Sequence, residues 1–364
     1  MTAKRIAIAI DTLTGGGAEK VMLTLAKALL AQGHRPHLLV MQDECLHDIP
    51  DLVPVTFCFN KNDKNLTGFS KLSRSVVVLE KVIADVEKKA GKFDLFLSNL
   101  DLTNLLMSKT SVTPLYFVIH SSVEESLSRQ AKLGPFAYFK MLKAVKALNG
   151  QNLVTVSKGI EKEIVKVGRI QPKTIRTIYN PFDIEHILEC SEQQNDEIPD
   201  GDFLIHVGRF AKAKRHDVLF QALKQIDSQI PLVLLCKNRK KALKVADKYG
   251  VRDRLIIPGF QTNPFPWIKQ AKLLVLSSDY EGLPTVLIES LACGTPVVST
   301  NCNHGPDEIL TGKLAHYLVP RRDPKALAAK IDEALFTPPN IGELEIFNQV
   351  SAEVVAKSYL KLIW

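Results

Sequence analysis

The stretch Ser277-Ser-Asp-Tyr-Glu281-Gly-Leu-Pro284-Thr-Val-Leu-Ile-Glu289-Ser-Leu-Ala-Cys-Gly294-Thr-Pro296 carries two glutamates separated by seven residues. An apolar, strand-like run ends at Ser277. Pro284 suits the first turn of a helix, because its missing N–H would find no partner there anyway, and Gly294 suits the end. A helix starting at this point directs free amides and the positive end of its dipole toward the carboxyl edge of a sheet, which makes it ready to receive an anion. Glu281 falls in the loop just before it. Glu289 falls five residues beyond Pro284, about 7–8 Å along the axis. An extended ligand can lay phosphates on the helix end and meet a carboxylate on either side. The same spacing also fits a plainer arrangement, with Glu281 a solvated loop group and Glu289 on the polar face of an amphipathic helix.

Two further segments have ligand chemistry available to them. Gly15-Gly16-Gly17 follows the apolar run Ile6–Ile10, and glycines there let backbone approach a phosphate or sugar closely. This is not the dinucleotide fingerprint, because Lys20 stands where its last glycine is required, and a simple flexible turn fits equally well. His120 comes directly after the run Leu115–Ile119, where it either faces a ligand or is structural. Nothing in the sequence provides for a metal: no H-E-x-x-H or paired-cysteine set is present. Asp200-Gly-Asp202 reads as a turn, and Gly312-Lys313 is followed by Leu314 and lacks the upstream glycine of a phosphate loop. Neither a metal nor a cofactor is expected.

Positioning these residues requires strands whose carboxyl ends share an edge. The runs at 6–10, 38–41, 95–97, 115–119 and 154–156 are apolar, short and bounded by turn residues, with helical stretches between them. One such helix, Ala18 to Gln32, has Val21, Leu25, Ala28 and Leu29 on one stripe and closes on Gly33. A second alternating set follows at 203–207, 232–235, 255–257, 273–276 and 297–298. The pattern predicts an α/β protein of two doubly wound parallel sheets, each covered on both faces, with a small-molecule cleft where the halves meet. A length of 364 residues agrees with about two domains. The polar segment 190–202 reads as the best linker, and residues 347–364 as one amphipathic helix.

The 47 Lys and Arg against 39 Asp and Glu leave a net charge of +8, which attracts phosphate-rich partners. Six scattered cysteines without a CxxC pair read as free thiols in a reducing compartment. The N-terminus has too short an apolar run for a secretory signal, so a cytoplasmic protein is predicted. Residues 126–151 hold Arg129, Lys132, Lys140, Lys143 and Lys146, no acidic residue, and Phe136, Tyr138 and Phe139. Cations beside an aromatic patch suit contact with an anionic membrane surface; the alternative is a domain helix with a solvated basic face. No nucleic-acid-binding module accompanies the charge.

Glu281-x7-Glu289 within EGLPTVLIESLACGTPVV resembles the signature of the family-4 retaining glycosyltransferases, which have the GT-B fold of two Rossmann-like domains. GGGAE at 15–19, HVGRFAKAKRHDVLFQAL at 206–223 and GPDEIL at 305–310 agree with that family in order and position. The resemblance implies an N-terminal acceptor-binding domain over 1–182 and a nucleotide-sugar-binding domain over 183–345. It also implies a C-terminal segment, 346–364, returning to the first domain. Carried over, it gives Glu289 the nucleotide ribose and Glu281 hydroxyls of the donor sugar. The amides of Gly282 and Leu283, beside Pro284, lie near the diphosphate, and Arg209 and Lys214 act as the cations on it. An ordinary surface ion pair is the alternative for Arg209. Gly16 and Gly17 resemble the donor and acceptor loop, and His120 the histidine that faces the donor sugar.

The implied activity is transfer of a hexose or N-acetylhexosamine, with retention and without a metal, from a nucleotide-diphosphate sugar, most simply a UDP-sugar. The implied acceptor is a lipid-linked or lipopolysaccharide-type glycan on the cytoplasmic face of the inner membrane, met through Lys140, Lys143, Lys146, Phe136 and Phe139. Two departures stand out: Cys236-Lys-Asn-Arg239 replaces a glycine-rich turn, and Asn180-Pro181 replaces an Asn-Gly pair. A silent GT-B glycan-binding scaffold and a nucleotide-sugar epimerase of the same fold are the alternatives. Retention of Arg209, Lys214, Glu281 and Glu289 together weighs against the scaffold.

Overall fold

The computed structural model describes residues 2–14, 16–45, 49–63, 65–68, 71–342 and 344–363, so Gly15 lies outside the described residues. The chain divides into two compact units, Met1–Phe182 with Gln349–Trp364, and Asp183–Asn348.

The first unit is built on seven parallel strands: β1 (Arg5–Ile10), β2 (Arg35–Gln42), β3 (Val55–Phe59), β4 (Leu95–Asn99), β5 (Leu115–Ile119), β6 (Asn152–Thr155) and β7 (Thr174–Thr177). Their order is β3-β2-β1-β4-β5-β6-β7. Ile6, Ala7, Ile8, Ala9 and Ile10 are all fully buried, as a strand covered on both faces must be. The chain winds outward from β1 to β3, returns to β4 beside β1, and winds the other way. The reversal between β1 and β4 opens a crevice at their carboxyl ends.

The second unit repeats the plan with β8 (Leu204–Val207), β9 (Leu232–Leu235), β10 (Leu255–Ile256), β11 (Leu273–Leu276), β12 (Val297–Thr300) and β13 (Leu318–Val319), in the order β10-β9-β8-β11-β12-β13. Its reversal lies between β8 and β11. The helix His216–Leu223 packs Val218, Leu219 and Leu223 into a core shared with Leu234, Val275, Val298 and Ile331.

Three expectations change. The segment 190–202 lies inside the second unit and joins nothing. The helix Ile184–Ser191 leads into it, Asn263 Nδ2 donates to the Cys190 carbonyl at 2.9 Å, and Lys269 pairs with Glu192. The basic stretch forms two helices, Val123–Ala131 and Pro135–Lys146, parted at Gly134, whose φ of 114° no ordinary helical residue adopts. The tail is likewise two helices, Glu345–Val350 and Ala352–Leu360. They break at Ser351, where Phe182 N–H donates to Val350 O at 2.8 Å and Ala352 N–H donates to Phe182 O at 2.9 Å. Val355, Ala356, Tyr359 and Leu362 are buried, and Gln32 Nε2 donates to Glu353 O at 3.1 Å, fixing the second tail helix to the first unit.

Burial reaches titratable groups as well. It pushes the imidazoles of His37, His120 and His206 down to about 4 and that of His216 to about 2, while it raises the Asp11 carboxyl to about 6. The unfolded chain protonates such imidazoles near pH 6.5, well before the folded one does. Between about pH 6.5 and 4 the unfolded state therefore binds more protons, and folding stability falls as pH falls. Asp11 has the opposite sign, since its folded carboxyl holds a proton up to about pH 6, and burial raises Asp101 and Asp332 in the same direction; with His34 also lowered, five imidazoles stand against these three carboxyls. The thermal midpoint followed by circular dichroism should be lower at pH 5 than at pH 7. An equal or higher midpoint at pH 5 would mean that these rings are not enclosed as described.

Candidate functional site

In the second unit, the segments leaving β8 and β11 emerge side by side at the reversal point. After β8 the chain passes Gly208 and Arg209, makes a single 3-10 turn at Lys212–Lys214, and enters the left-handed region at Arg215, with φ 46°. That conformation is sparsely populated for a residue with a side chain. It is held by guanidinium bonds to Asp217 at 2.9 and 2.8 Å and to both Asp279 oxygens at 3.1 Å. Two more bonds stitch the β8 segment to the β11 segment: Ser277 Oγ donates to Lys214 O, and Asp279 N–H donates to Ala213 O, each at 2.7 Å.

The outcome is a defined pair. Lys214 Nζ donates to Glu281 Oε1 at 2.7 Å, with the two side chains 21% and 13% exposed. Ser278 Oγ donates to the same oxygen at 2.6 Å, and its own carbonyl is held by Thr300 Oγ1 at 2.7 Å. Among the described residues Glu281 Oε2 accepts no hydrogen bond. A Cβ at Gly208 would lie 3.4 Å from Lys214 Cε and 3.6 Å from His206 Nε2, so the lysine stem lies close over that glycine. Beneath, His206 Nδ1 donates to Val275 O at 2.8 Å and the ring meets His216 at a centroid distance of 4.9 Å. Arg209 is exposed and forms no ion pair among the described residues.

Pro284 stands just before the helix Thr285–Ala292, with ψ 91°, instead of in its first turn. No side chain caps that helix, which leaves its first amides without a side-chain acceptor. The loop Gly282-Leu283-Pro284 is pinned from the side by Gly305. Its φ is +102°, and a Cβ there would come within 2.5 Å of Pro284 Cδ and 3.1 Å of the Leu283 Cα. Glu289, in the second turn of the helix, is only 7% exposed, so it is not a solvated face residue.

The structure brings Lys214 and Glu281 together and sets the 282–284 loop and Glu289 on the element that follows. Sequence reasoning missed Ser278, Gly305 and the Asp279 hub. Asp279 also takes Arg322 through two bonds at 3.0 Å, and its carbonyl takes Arg321 at 2.8 Å. A glycine next to Pro306 was the one available signal for a close approach; the arginines meet Asp279 only through the fold.

In the first unit, Gly16 precedes the helix Gly17–Ala31 at the carboxyl end of β1, and His120 follows β5. Asn99, at the end of β4, donates through Nδ2 to Ala9 O at 3.0 Å and Leu97 O at 3.2 Å. Its Oδ1 must therefore be the acceptor for His120 Nε2, at 2.8 Å. The neutral ring carries its proton on Nε2 and keeps a lone pair on Nδ1. Asp11, overlooked in the sequence, accepts from Thr103 N–H at 2.8 Å and Oγ1 at 2.6 Å beside this cluster. Elsewhere in this unit, the helix Pro135–Lys146 presents Phe136 at 85% and Phe139 at 64% exposure, with Lys140, Lys143 and Lys146 exposed beside them. A shallow groove of about 350 Å³ there has Leu105, Phe139 and Leu142 as its apolar lining and Lys109, Lys143 and Lys146 as its cations.

Comparison with known proteins bears on both units. Residues 15–186 match the model of Glycosyltransferase Family 4, and residues 189–343 that of Glycosyl transferases group 1. The chain is 25% identical over 312 residues to the Campylobacter jejuni N-acetylgalactosamine-N,N'-diacetylbacillosaminyl-diphospho-undecaprenol 4-alpha-N-acetylgalactosaminyltransferase, covering 84% of this chain and 83% of that one. It is 27% identical to the Rhizobium meliloti lipopolysaccharide core biosynthesis glycosyltransferase LpsE, covering 59% of this chain and 64% of that one. The crystal structure of Anabaena Alr3699/HepE in complex with UDP and glucose superposes with a TM-score of 0.68 at 16% identity, covering 99% of this chain and 97% of that one. Two parallel α/β units, the paired Lys214 and Glu281, and family matches that together run from residue 15 to residue 343 lead to one conclusion: the chain belongs to the family-4, group 1 glycosyltransferases and has the GT-B fold.

Proposed function

We propose that the protein transfers a hexose or N-acetylhexosamine, with retention of configuration and without a metal, from a UDP-sugar to a lipid-linked or lipopolysaccharide-type glycan acceptor. The observation that carries this reading is the convergence of Lys214, Glu281 and the uncapped start of the helix Thr285–Ala292 at the reversal point of the second sheet. A departing nucleoside diphosphate accumulates negative charge, and cations fixed beside it stabilise the transition state more than the ground state. Lys214 and Arg209 fill that role, with Gly282, Leu283 and Pro284 supplying backbone close to the phosphates. Glu281 holds hydroxyls of the sugar through its oxygens, and the buried Glu289 accepts from the ribose. Family resemblance gives a diphosphate oxygen the acceptor's proton. In the first unit, neutral His120 and the turn at Gly16 and Gly17 belong to the sugar-handling side of the reaction.

Among the described residues no helix is long and apolar enough to cross a bilayer. We assign membrane contact to the exposed Phe136 and Phe139 with Lys140, Lys143 and Lys146, and we propose a peripheral location on the cytoplasmic face. Each such cation contributes about 1 kcal/mol near anionic lipid. The names of the Campylobacter and Rhizobium relatives support a lipid-linked or lipopolysaccharide acceptor.

Three measurements test these assignments. Glu289→Ala should weaken UDP binding by about 1–3 kcal/mol in calorimetry, the range for hydrogen bonds to an ionised group; unchanged affinity removes the ribose role. Lys214→Ala should lower turnover by about 100-fold, the usual scale for one electrostatic donor, with the thermal midpoint nearly kept; wild-type turnover ends the diphosphate assignment. Charge reversal at Lys140, Lys143 and Lys146 should abolish cosedimentation with phosphatidylglycerol vesicles at low salt, and undiminished binding would make the helix an ordinary solvated one.

A further inference from the structure

The two groups assigned to different parts of the donor are bound to each other in this structure. Lys214, the cation for the diphosphate, spends a hydrogen bond on Glu281, the carboxylate for the sugar, at 2.7 Å. Both side chains are mostly withdrawn from water, at 21% and 13% exposure, so the pair is less screened than a surface pair. Ser278 Oγ anchors Glu281 Oε1 at 2.6 Å from the other side, which keeps the carboxylate within reach of the lysine. Arg209 is exposed and without an ion pair among the described residues. The basic pair is therefore unequal: Arg209 is available and Lys214 is occupied by Glu281.

We propose that Glu281 is an internal counter-ion that competes with the nucleoside diphosphate for Lys214, so that the protein holds the spent nucleotide less tightly than it holds the intact donor. This rests on the donor reading above. When the intact donor is bound, Lys214 turns to the diphosphate, and sugar hydroxyls take its place as hydrogen-bond donors to Glu281. Once the sugar has left, Glu281 keeps Ser278 alone and regains its full set of partners only by taking Lys214 back. That exchange favours release of the nucleoside diphosphate. It involves no covalent step, and each partner given up is replaced by another of like chemistry.

The test is a nucleotide-binding cycle on the full chain. Wild type, Glu281→Gln, Lys214→Ala and the double variant are titrated by calorimetry with UDP, GDP, ADP and dTDP, without sugar or acceptor. Glu281→Gln keeps the shape and the Ser278 contact but removes the charge that holds the lysine. The diphosphate that wild type binds should bind this variant about five-fold more tightly, which corresponds to about 1 kcal/mol, the upper end for a partly exposed pair. In the Lys214→Ala background the same substitution should produce no gain, because the competition has no object. Should Glu281→Gln fail to fold, Glu281→Ala, which removes the carboxylate and with it the 2.7 Å contact, serves for the same cycle with the same expected sign. Equal or weaker diphosphate binding by the folded variant, or the same gain in the Lys214→Ala background, overturns the counter-ion role while leaving the donor site standing. If wild type binds none of the four diphosphates, the donor reading falls, and this inference with it.

Discussion

A lysine and a glutamate 67 residues apart come within 2.7 Å of each other because two adjacent parallel strands send their connections in opposite directions. Neither side chain has a local reason to meet the other. Lys214 arrives at the end of a 3-10 turn that Arg215 closes in a left-handed conformation, and Glu281 arrives in the loop after β11. What fixes their separation is the seam between these loops, made by Ser277, Asp279 and Ala213, together with the arginine bonds on Asp279. The chemistry assigned to the second unit depends on that seam.

The seam has a rigid floor. His206 and His216 sit below it as neutral, buried rings, each with an Nε2 that has no hydrogen-bond partner among the described residues. An unpaired buried acceptor is costly; the two rings meet at a centroid distance of 4.9 Å, and His216 also meets the Phe210 ring at 4.1 Å. A rotamer change in Lys214 is thereby restricted on the side of Gly208, where even a methyl group would touch its stem. Polar contacts set the pair from above and ring packing limits it from below.

The interior of both sheets is legible in the sequence. Runs such as Ile6–Ile10 and Leu273–Leu276 are apolar without alternation because helices cover both faces, and a run so short and so uniformly apolar suits few environments besides a buried parallel strand. Strands at the edges are not legible in this way. β3 and β7 lie at the rims of the first sheet, where Phe57 is 39% exposed and Arg176 faces solvent, so their composition is mixed. β13 has only two residues and gives no periodicity to count. The site divides in the same way. The placement of Glu281 before the helix, of Glu289 on it and of Gly294 just past its end follows from local spacing, though their roles do not, and the helix starts one residue later than Pro284 suggests. The pairing of Lys214 with Glu281, the contact of Gly305 with Pro284 and the arginines around Asp279 depend on register between distant strands. A linear pattern does not contain that information. The tail reads as one helix because its apolar spacing continues through Ser351. Backbone hydrogen bonds to Phe182, which no side-chain pattern reports, interrupt it.

The first unit takes its final layer from the far end of the chain: Val355, Ala356, Tyr359 and Leu362 cover a surface that residues before Phe182 leave open. On a ribosome this reverses the usual vectorial order, in which an amino-terminal domain finishes first. Asp183–Asn348 is contiguous and has every strand of its sheet as soon as it clears the exit tunnel, whereas the earlier half must wait, with part of its apolar face open to water, until the segment that follows residue 348 is translated. Nascent chains stalled before residue 349 should accordingly be the species most in need of chaperones.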